Sequence, residues 1–218
     1  MKKRKIRPAV KGFLCLLLVL ALSFGAAKGV RWWQGVRVFT ATDREGALTY
    51  LREIPIPDFV DQQFLHVHNT ARTGANVEKI NDIVIHYVGN PGSSAQNNRD
   101  YFDKETTTVS SHFVVGLEGE IIQCLPLWER SAASNHRNRD TVSIEVCHPD
   151  TTGQFNETTY AALVKLTAFL CENLSLDSDH VIRHYDVTGK RCPLYYVEHE
   201  EAWETFKTDV QTAIQNKS

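Results

Sequence analysis

The sequence predicts a mixed α/β fold: one domain with a central mixed β-sheet flanked by helices, preceded by an N-terminal membrane segment. Three observations predict it. Short strand-like apolar runs at 81–88, 120–125, 141–147 and 181–182 interleave with segments of helical character at 94–103, 156–173 and from 198 onward. Two runs, 109–115 and 120–125, are joined by Gly116-Leu117-Glu118-Gly119, a hairpin signature. The first 30 residues hold seven Lys/Arg and no Asp/Glu, grouped around a nearly unbroken apolar stretch at 13–27.

That N-terminal stretch reads as a targeting segment. Met1-Lys2-Lys3-Arg4-Lys5 is a basic flank, and the apolar run is slightly short of the about 20 residues a spanning helix needs. Lys28 and Arg31 can reach an interface from it, and Trp32-Trp33 stand where an aromatic belt would lie. The excess of positive charge places residues 1–11 in the cytoplasm. The expectation is a single-pass anchor in the cell membrane with the body extracytoplasmic. A cleaved signal peptide, with Gly25-Ala26-Ala27 as the small-residue site and a secreted product, is the alternative. Residues 1–30 are thus a basic tail and signal-anchor, or a signal peptide.

Residues 31–79 show little periodicity and contain Pro55 and Pro57. They read as a juxtamembrane linker and an extended arm, with a short helix around Arg44–Glu53. His66-Val67-His68 places two imidazoles two residues apart, a spacing more often found on a solvated arm than in a metal site.

From residue 80 the elements are firmer. Asn81–Val88 is a buried strand, stopped by the turn Gly89-Asn90-Pro91-Gly92. Ser93 or Ser94 caps a helix to about Asp103. Val109–Val115 and Glu120–Leu125 form the hairpin. In Thr141–Cys147, Val142, Ile144 and Val146 share one face and Ser143, Glu145 and Cys147 the other. A helix starts at Asn156 or Thr158 and runs to about Asn173 on Leu163, Val164, Thr167, Leu170 and Cys171. A short strand at Val181-Ile182 follows, and a last helix from about Glu198 buries Trp203, Phe206, Val210 and Ile214. Beyond residue 30 the chain holds 17 basic against 26 acidic residues, which argues against nucleic acid as a partner. Outside the apolar run and residue 192, the cysteines are Cys124, Cys147 and Cys171. One bridge or three buried thiols both fit; a disulfide framework does not.

The chemistry concentrates in Arg183-His184-Tyr185-Asp186-Val187-Thr188-Gly189-Lys190-Arg191-Cys192-Pro193, read as one short polar loop. Its His184 and Cys192, with His86 from the strand at 81–88, make a three-ligand zinc set with a fourth position left for chemistry. Each residue alone has a plainer reading: His86 as a hydrogen-bonded core imidazole, Cys192 as a small buried hydrophobe, Lys190 as a solvated loop cation. Glu145 is a carboxylate on the polar face of an otherwise apolar strand, either a partnered structural group or a site group. Lys190 stands two residues from a ligand, a costly place for a cation unless negative charge develops nearby.

Five ordered pieces carry a resemblance. They are Ile83–Pro91, Ser110–Val115, Ile121–Leu127, Ser143–Cys147, and His184-Tyr185-Asp186 through Cys192-Pro193. From about residue 80 onward the chain resembles the zinc-dependent N-acetylmuramoyl-L-alanine amidases related to the peptidoglycan-recognition proteins. The resemblance implies a zinc amidase catalytic domain over 80–218 that binds Zn2+ through His86, His184 and Cys192. It implies that Glu145 is the general base and that Lys190 stabilises the oxyanion. The substrate it implies is peptidoglycan, cleaved between N-acetylmuramic acid and L-alanine of the stem peptide. Some relatives carry a catalytic Tyr where this chain has Ser111, so that role is absent here or passes to Glu145. Others use Asp where this chain has Cys192. Rival readings from other classes are a non-catalytic peptidoglycan receptor of the same fold and a zinc peptidase cutting within the stem peptide. Receptors of that kind typically lack the cysteine ligand, and Cys192 is present here.

Overall fold

The computed structural model describes residues 44–67 and 70–216. The basic tail, the apolar run, Trp32-Trp33 and His68 lie outside the described residues. In chain order the elements are α1 (Arg44–Glu53), β1 (Val60–Gln62), β2 (Asp82–Tyr87), α2 (Ala95–Phe102), β3 (Phe113–Val115), β4 (Ile121–Gln123), β5 (Thr141–Val146), α3 (Glu157–Leu174), β6 (Val181–Arg183), α4 (His184–Thr188), α5 (Leu194–Glu198) and α6 (Glu200–Asn216). Short 3-10 turns occupy Asn135–Arg139 and Ser178–His180.

The six strands make one mixed sheet in the order β1-β4-β3-β5-β2-β6. Only β3 and β4 run antiparallel, as their glycine-bounded connection requires. β5, β2 and β6 are three parallel neighbours, with Ile83 opposite Val142 on one side and Val181 on the other. Parallel strands need cover on both faces, which explains the continuous apolar run of β2. One face, carrying Ile83, Ile85, Val142, Ile144 and Val146, packs under α3 and α6 in the main core. The other face, carrying Val114, Ile122 and Cys147, packs on Ala95 and Phe102 of α2. His86 and Glu145 alternate with the main-core residues, so both point to the α2 side.

The helices start and stop where local chemistry dictates. Ser94 caps α2 in a reciprocal capping box with Asn97. Asn156 accepts the Thr159 N–H at the start of α3, and Ser175 ends it in the left-handed region. Trp203, Phe206, Val210 and Ile214 are the buried stripe of α6. Cys124, Cys147, Cys171 and Cys192 are all free and buried, so no bridge joins the described cysteines.

Three elements depart from the expectations. Val109–Ser111 does not extend β3: Ser110 pairs instead with Ala132 and its hydroxyl donates to the Ala71 carbonyl. Residues 184–188 are not loop but the short helix α4, closed by Gly189 at φ 75°. Residues 44–62 contribute Leu48, Leu51, Ile54 and Val60 to the main core, and β1 extends the sheet beside β4.

Candidate metal centre and its cleft

The carboxyl-terminal ends of β5, β2 and β6 converge on one point, the usual place for a site on a parallel sheet. In β2 and β5, His86 is paired directly opposite Glu145. β6 ends at Arg183 and the chain turns at once into α4, whose first residue is His184. The chain then reverses, and Tyr185 N–H donates to the Cys192 carbonyl at 2.9 Å, bringing the Cys192 thiol back over the strand ends. His86, His184 and Cys192 are all buried, and one ligand-type atom of each lies within 4.8 Å of the others.

Within that cluster, His86 Nδ1 stands 3.9 Å from Cys192 Sγ and 3.9 Å from Glu145 Oε1, while its Nε2 lies 3.2 Å from Ser134 Oγ. The two imidazole centroids are 4.5 Å apart. His184 Nδ1 and Glu145 Oε2 are buried with no hydrogen-bond partner among the described residues. Buried polar atoms are nearly always partnered, so two such atoms in one pocket mark a place built for something else.

Electrostatics point the same way. Burial, then the neighbouring His184 and Lys190, hold His86 well below the ordinary histidine range. Burial and Lys190 lower His184 as well. Burial pushes Glu145 up to about 8, against the pull of Lys190. Its side chain keeps 18% of its surface open to the cleft, so this is a crevice and not a sealed core. Burial, aided by Glu145, pushes the Cys192 thiol up to about 12. The cluster is therefore a set of neutral imidazoles with a thiol and a carboxyl that both want a positive charge beside them. Two nitrogens and a sulfur within reach of one another, with an unpartnered buried nitrogen, fit a tetrahedral divalent cation and zinc in particular.

A cavity of about 260 Å³ opens over the cluster, and Glu145, Lys190, Tyr101, Val109 and Ala133 form its walls. It continues into a groove of about 710 Å³ past Thr108, Asn135 and Thr188. Lys190 lines both. The other candidates lie elsewhere. Ser111 is fully buried, its hydroxyl within hydrogen-bond distance of the Ser143 carbonyl at 2.8 Å, and it does not line the cavity. Asp186 is engaged by the Arg183 backbone and guanidinium. His66 pairs with Asp103 at 2.9 Å, and its neighbour His68 lies outside the described residues. Ser134 was not among the sequence candidates; it sits in a polar run, Ser134–Asp140, with no periodicity to single it out.

Arg183 braces this end of the sheet. Its guanidinium is nearly buried and reaches Asp186, the Tyr196 carbonyl at 2.9 Å and Glu200 at 2.6 Å, while lying 5.4 Å from the Trp203 ring centre. One side chain thus ties the start of the ligand-bearing segment to α5 and α6.

Fold and site together define a mixed α/β domain carrying a candidate mononuclear metal centre in a substrate-sized cleft. The chain belongs to the N-acetylmuramoyl-L-alanine amidase family (Amidase_2), whose model matches residues 76–194. It is 29% identical to the N-acetylmuramoyl-L-alanine amidase CwlL of Bacillus licheniformis over 176 residues, which are 73% of this chain and 48% of that protein. It is 28% identical to the amidase BlyA of Bacillus subtilis (strain 168), over 71% of this chain and 47% of that protein. The chain therefore spans about half the length of these relatives. The solved catalytic domain of XlyA superposes with a TM-score of 0.61 at 27% identity, covering 69% of this chain and 98% of that domain.

Proposed function

We propose that this chain is a zinc-dependent N-acetylmuramoyl-L-alanine amidase that hydrolyses peptidoglycan at the amide between N-acetylmuramic acid and L-alanine. The observation that carries the reading is the meeting of His86, His184 and Cys192 beside Glu145 in a chain of the amidase family. His86, His184 and Cys192 would hold the metal. A zinc ion there supplies Lewis acidity towards a carbonyl oxygen and acidifies water.

This chain's own residues do the rest. Glu145 takes a proton from the water whose oxygen attacks the amide carbonyl carbon. Burial holds its carboxyl protonated and Lys190 opposes that; a cation held by His86, His184 and Cys192 would oppose it further and ready Glu145 as a base. As the carbon–nitrogen bond breaks, Glu145 returns the proton to the leaving nitrogen. The products are a lactyl carboxylate and a free L-alanine amino group. The Lys190 ammonium on the cavity wall faces the negative charge that gathers on the former carbonyl oxygen. The test is mass spectrometry of digested peptidoglycan. New L-alanine amino termini support the reading; cleavage inside the stem peptide, or binding without cleavage, refutes it.

We also propose that residues 13–27 anchor the chain in the cell membrane, with residues 80–218 acting on the wall from outside. The basic flank, the apolar run and Trp32-Trp33 support this. No helix among the described residues is long and apolar enough to cross a membrane, and residues 1–43 lie outside the described residues.

A further inference from the structure

We propose that Ser134 is the positioning residue for His86: its buried hydroxyl oxygen accepts the Nε2–H and thereby turns Nδ1, as the lone-pair nitrogen, towards His184 and Cys192. The inference rests on reading those three residues as a metal site. It starts from which way the ring faces. Nε2 is 3.2 Å from Ser134 Oγ, whereas Nδ1 is the atom 3.9 Å from Cys192 Sγ. A neutral imidazole carries one proton, and the nitrogen that donates to a cation cannot hold it. The proton therefore sits on Nε2. His86 is 1% exposed, so that N–H needs an acceptor from the protein, and the fully buried Ser134 supplies it.

Ser134 is itself held. The Asn138 Oδ1 atom accepts both the Ala133 N–H at 3.1 Å and the Ser134 N–H at 2.6 Å, closing the segment on itself. Asn135 then turns through the left-handed region at φ 51°. Further on, Arg137 pairs with Asp82, the first residue of β2, and with Asp140. The loop is thus fastened to β2 at its start through Arg137 and near its end through Ser134. Hydrogen-bond partners of ligating imidazoles fix tautomer and ring angle, and losing one typically costs about 10- to 100-fold in metal affinity.

The test uses the full chain in detergent micelles, with zinc affinity measured by chelator competition. Ser134→Ala is expected to weaken zinc binding by about 10- to 100-fold, and Ser134→Thr, which keeps the oxygen, to recover most of that loss. In 15N-histidine-labelled parent protein the His86 proton is expected on Nε2, slow to exchange with water, and fast to exchange in Ser134→Ala. Equal zinc affinity of parent and Ser134→Ala overturns the proposal, and so does a parent protein with the His86 proton on Nδ1. A parent chain that binds no zinc refutes the metal reading of the site instead. In that case the tautomer measurement still decides the role of Ser134, because it needs neither a variant nor metal.

Discussion

Acid should destabilise the fold through one buried imidazole, His112. That side chain is fully buried at the entry to β3. Its Nδ1 accepts the Ser143 N–H at 3.1 Å, and its Nε2 donates to the Glu129 carbonyl at 2.9 Å. Both ring nitrogens are engaged in the neutral form, and a second proton on Nδ1 would displace the bond from the Ser143 N–H. Burial lowers the His112 pKa from 6.5 to about 4, although the bond to the Glu129 carbonyl and the Glu129 carboxylate, itself paired with Arg72, pull the other way. The folded pKa is the lower one, so the stabilisation is fully present above pH 6.5 and is lost as pH falls towards 4. A shift of about 2.5 units at roughly 1.36 kcal/mol per unit gives a loss of about 3 kcal/mol. That is a large share of a typical stability of about 5–15 kcal/mol. The comparison is His112→Gln, whose amide offers an acceptor and a donor but does not titrate. Urea denaturation of parent and variant should be measured at pH 7, 5.5 and 4.5. The stability difference, parent minus variant, should fall by up to about 3 kcal/mol across that range. A difference that stays constant with pH would show that His112 is not the group responsible.

Further outcomes test the site and the anchor. Cys192→Ala should lose most of the bound zinc by metal analysis, and full retention removes Cys192 from the ligand set. Glu145→Gln keeps the shape of the side chain but cannot take a proton. Release of peptides with free L-alanine amino termini should drop by at least about a hundredfold with zinc content unchanged; turnover at the parent rate would mean another base. Lys190→Met should also keep its metal and slow turnover by roughly 2.7–4 kcal/mol of barrier, the size of one oxyanion donor, and a change in KM alone would reassign it to substrate binding. Membrane fractionation with N-terminal sequencing should find the chain in the membrane with residue 1 or 2 at its start, and a soluble form beginning near Lys28 refutes the anchor.

Long elements with a repeating pattern were legible in the sequence. α3 and α6 have enough turns to show their buried stripes, and β2 is apolar because both its faces are covered. The hairpin followed from two glycines. β1 was not legible: three residues show no period, and Val60-Asp61-Gln62 is a strand because β4 offers it a partner. α4 is five residues, too short for helical spacing to register. Val109–Ser111 looks like a strand locally, but the tertiary pull of Ala71 and Ala132 on Ser110 wins. At the site, the convergence of His86, Glu145, His184 and Cys192 was legible because scarce residue types stood in five ordered motifs. Ser134 was not, since serine in a polar run is common and its meaning lies in where the 3-10 turn after it is anchored.

The brace at Arg183 bears on where this domain can be cut. The family match closes at residue 194, yet the Tyr196 carbonyl, Glu200 and the Trp203 ring all lie beyond it. Glu200 is mostly exposed and matters little by itself. A fragment trimmed at residue 194 would nevertheless uncover a guanidinium that packs against the aromatic stripe of α6, with Asp186 and the Tyr185 ring left to meet it. Since Arg183 precedes His184 directly, the loosened segment would be the one that presents His184 and Cys192. A fragment that keeps the brace therefore ends at the close of α6, and the form trimmed at 194 should bind less zinc than the longer one by metal analysis.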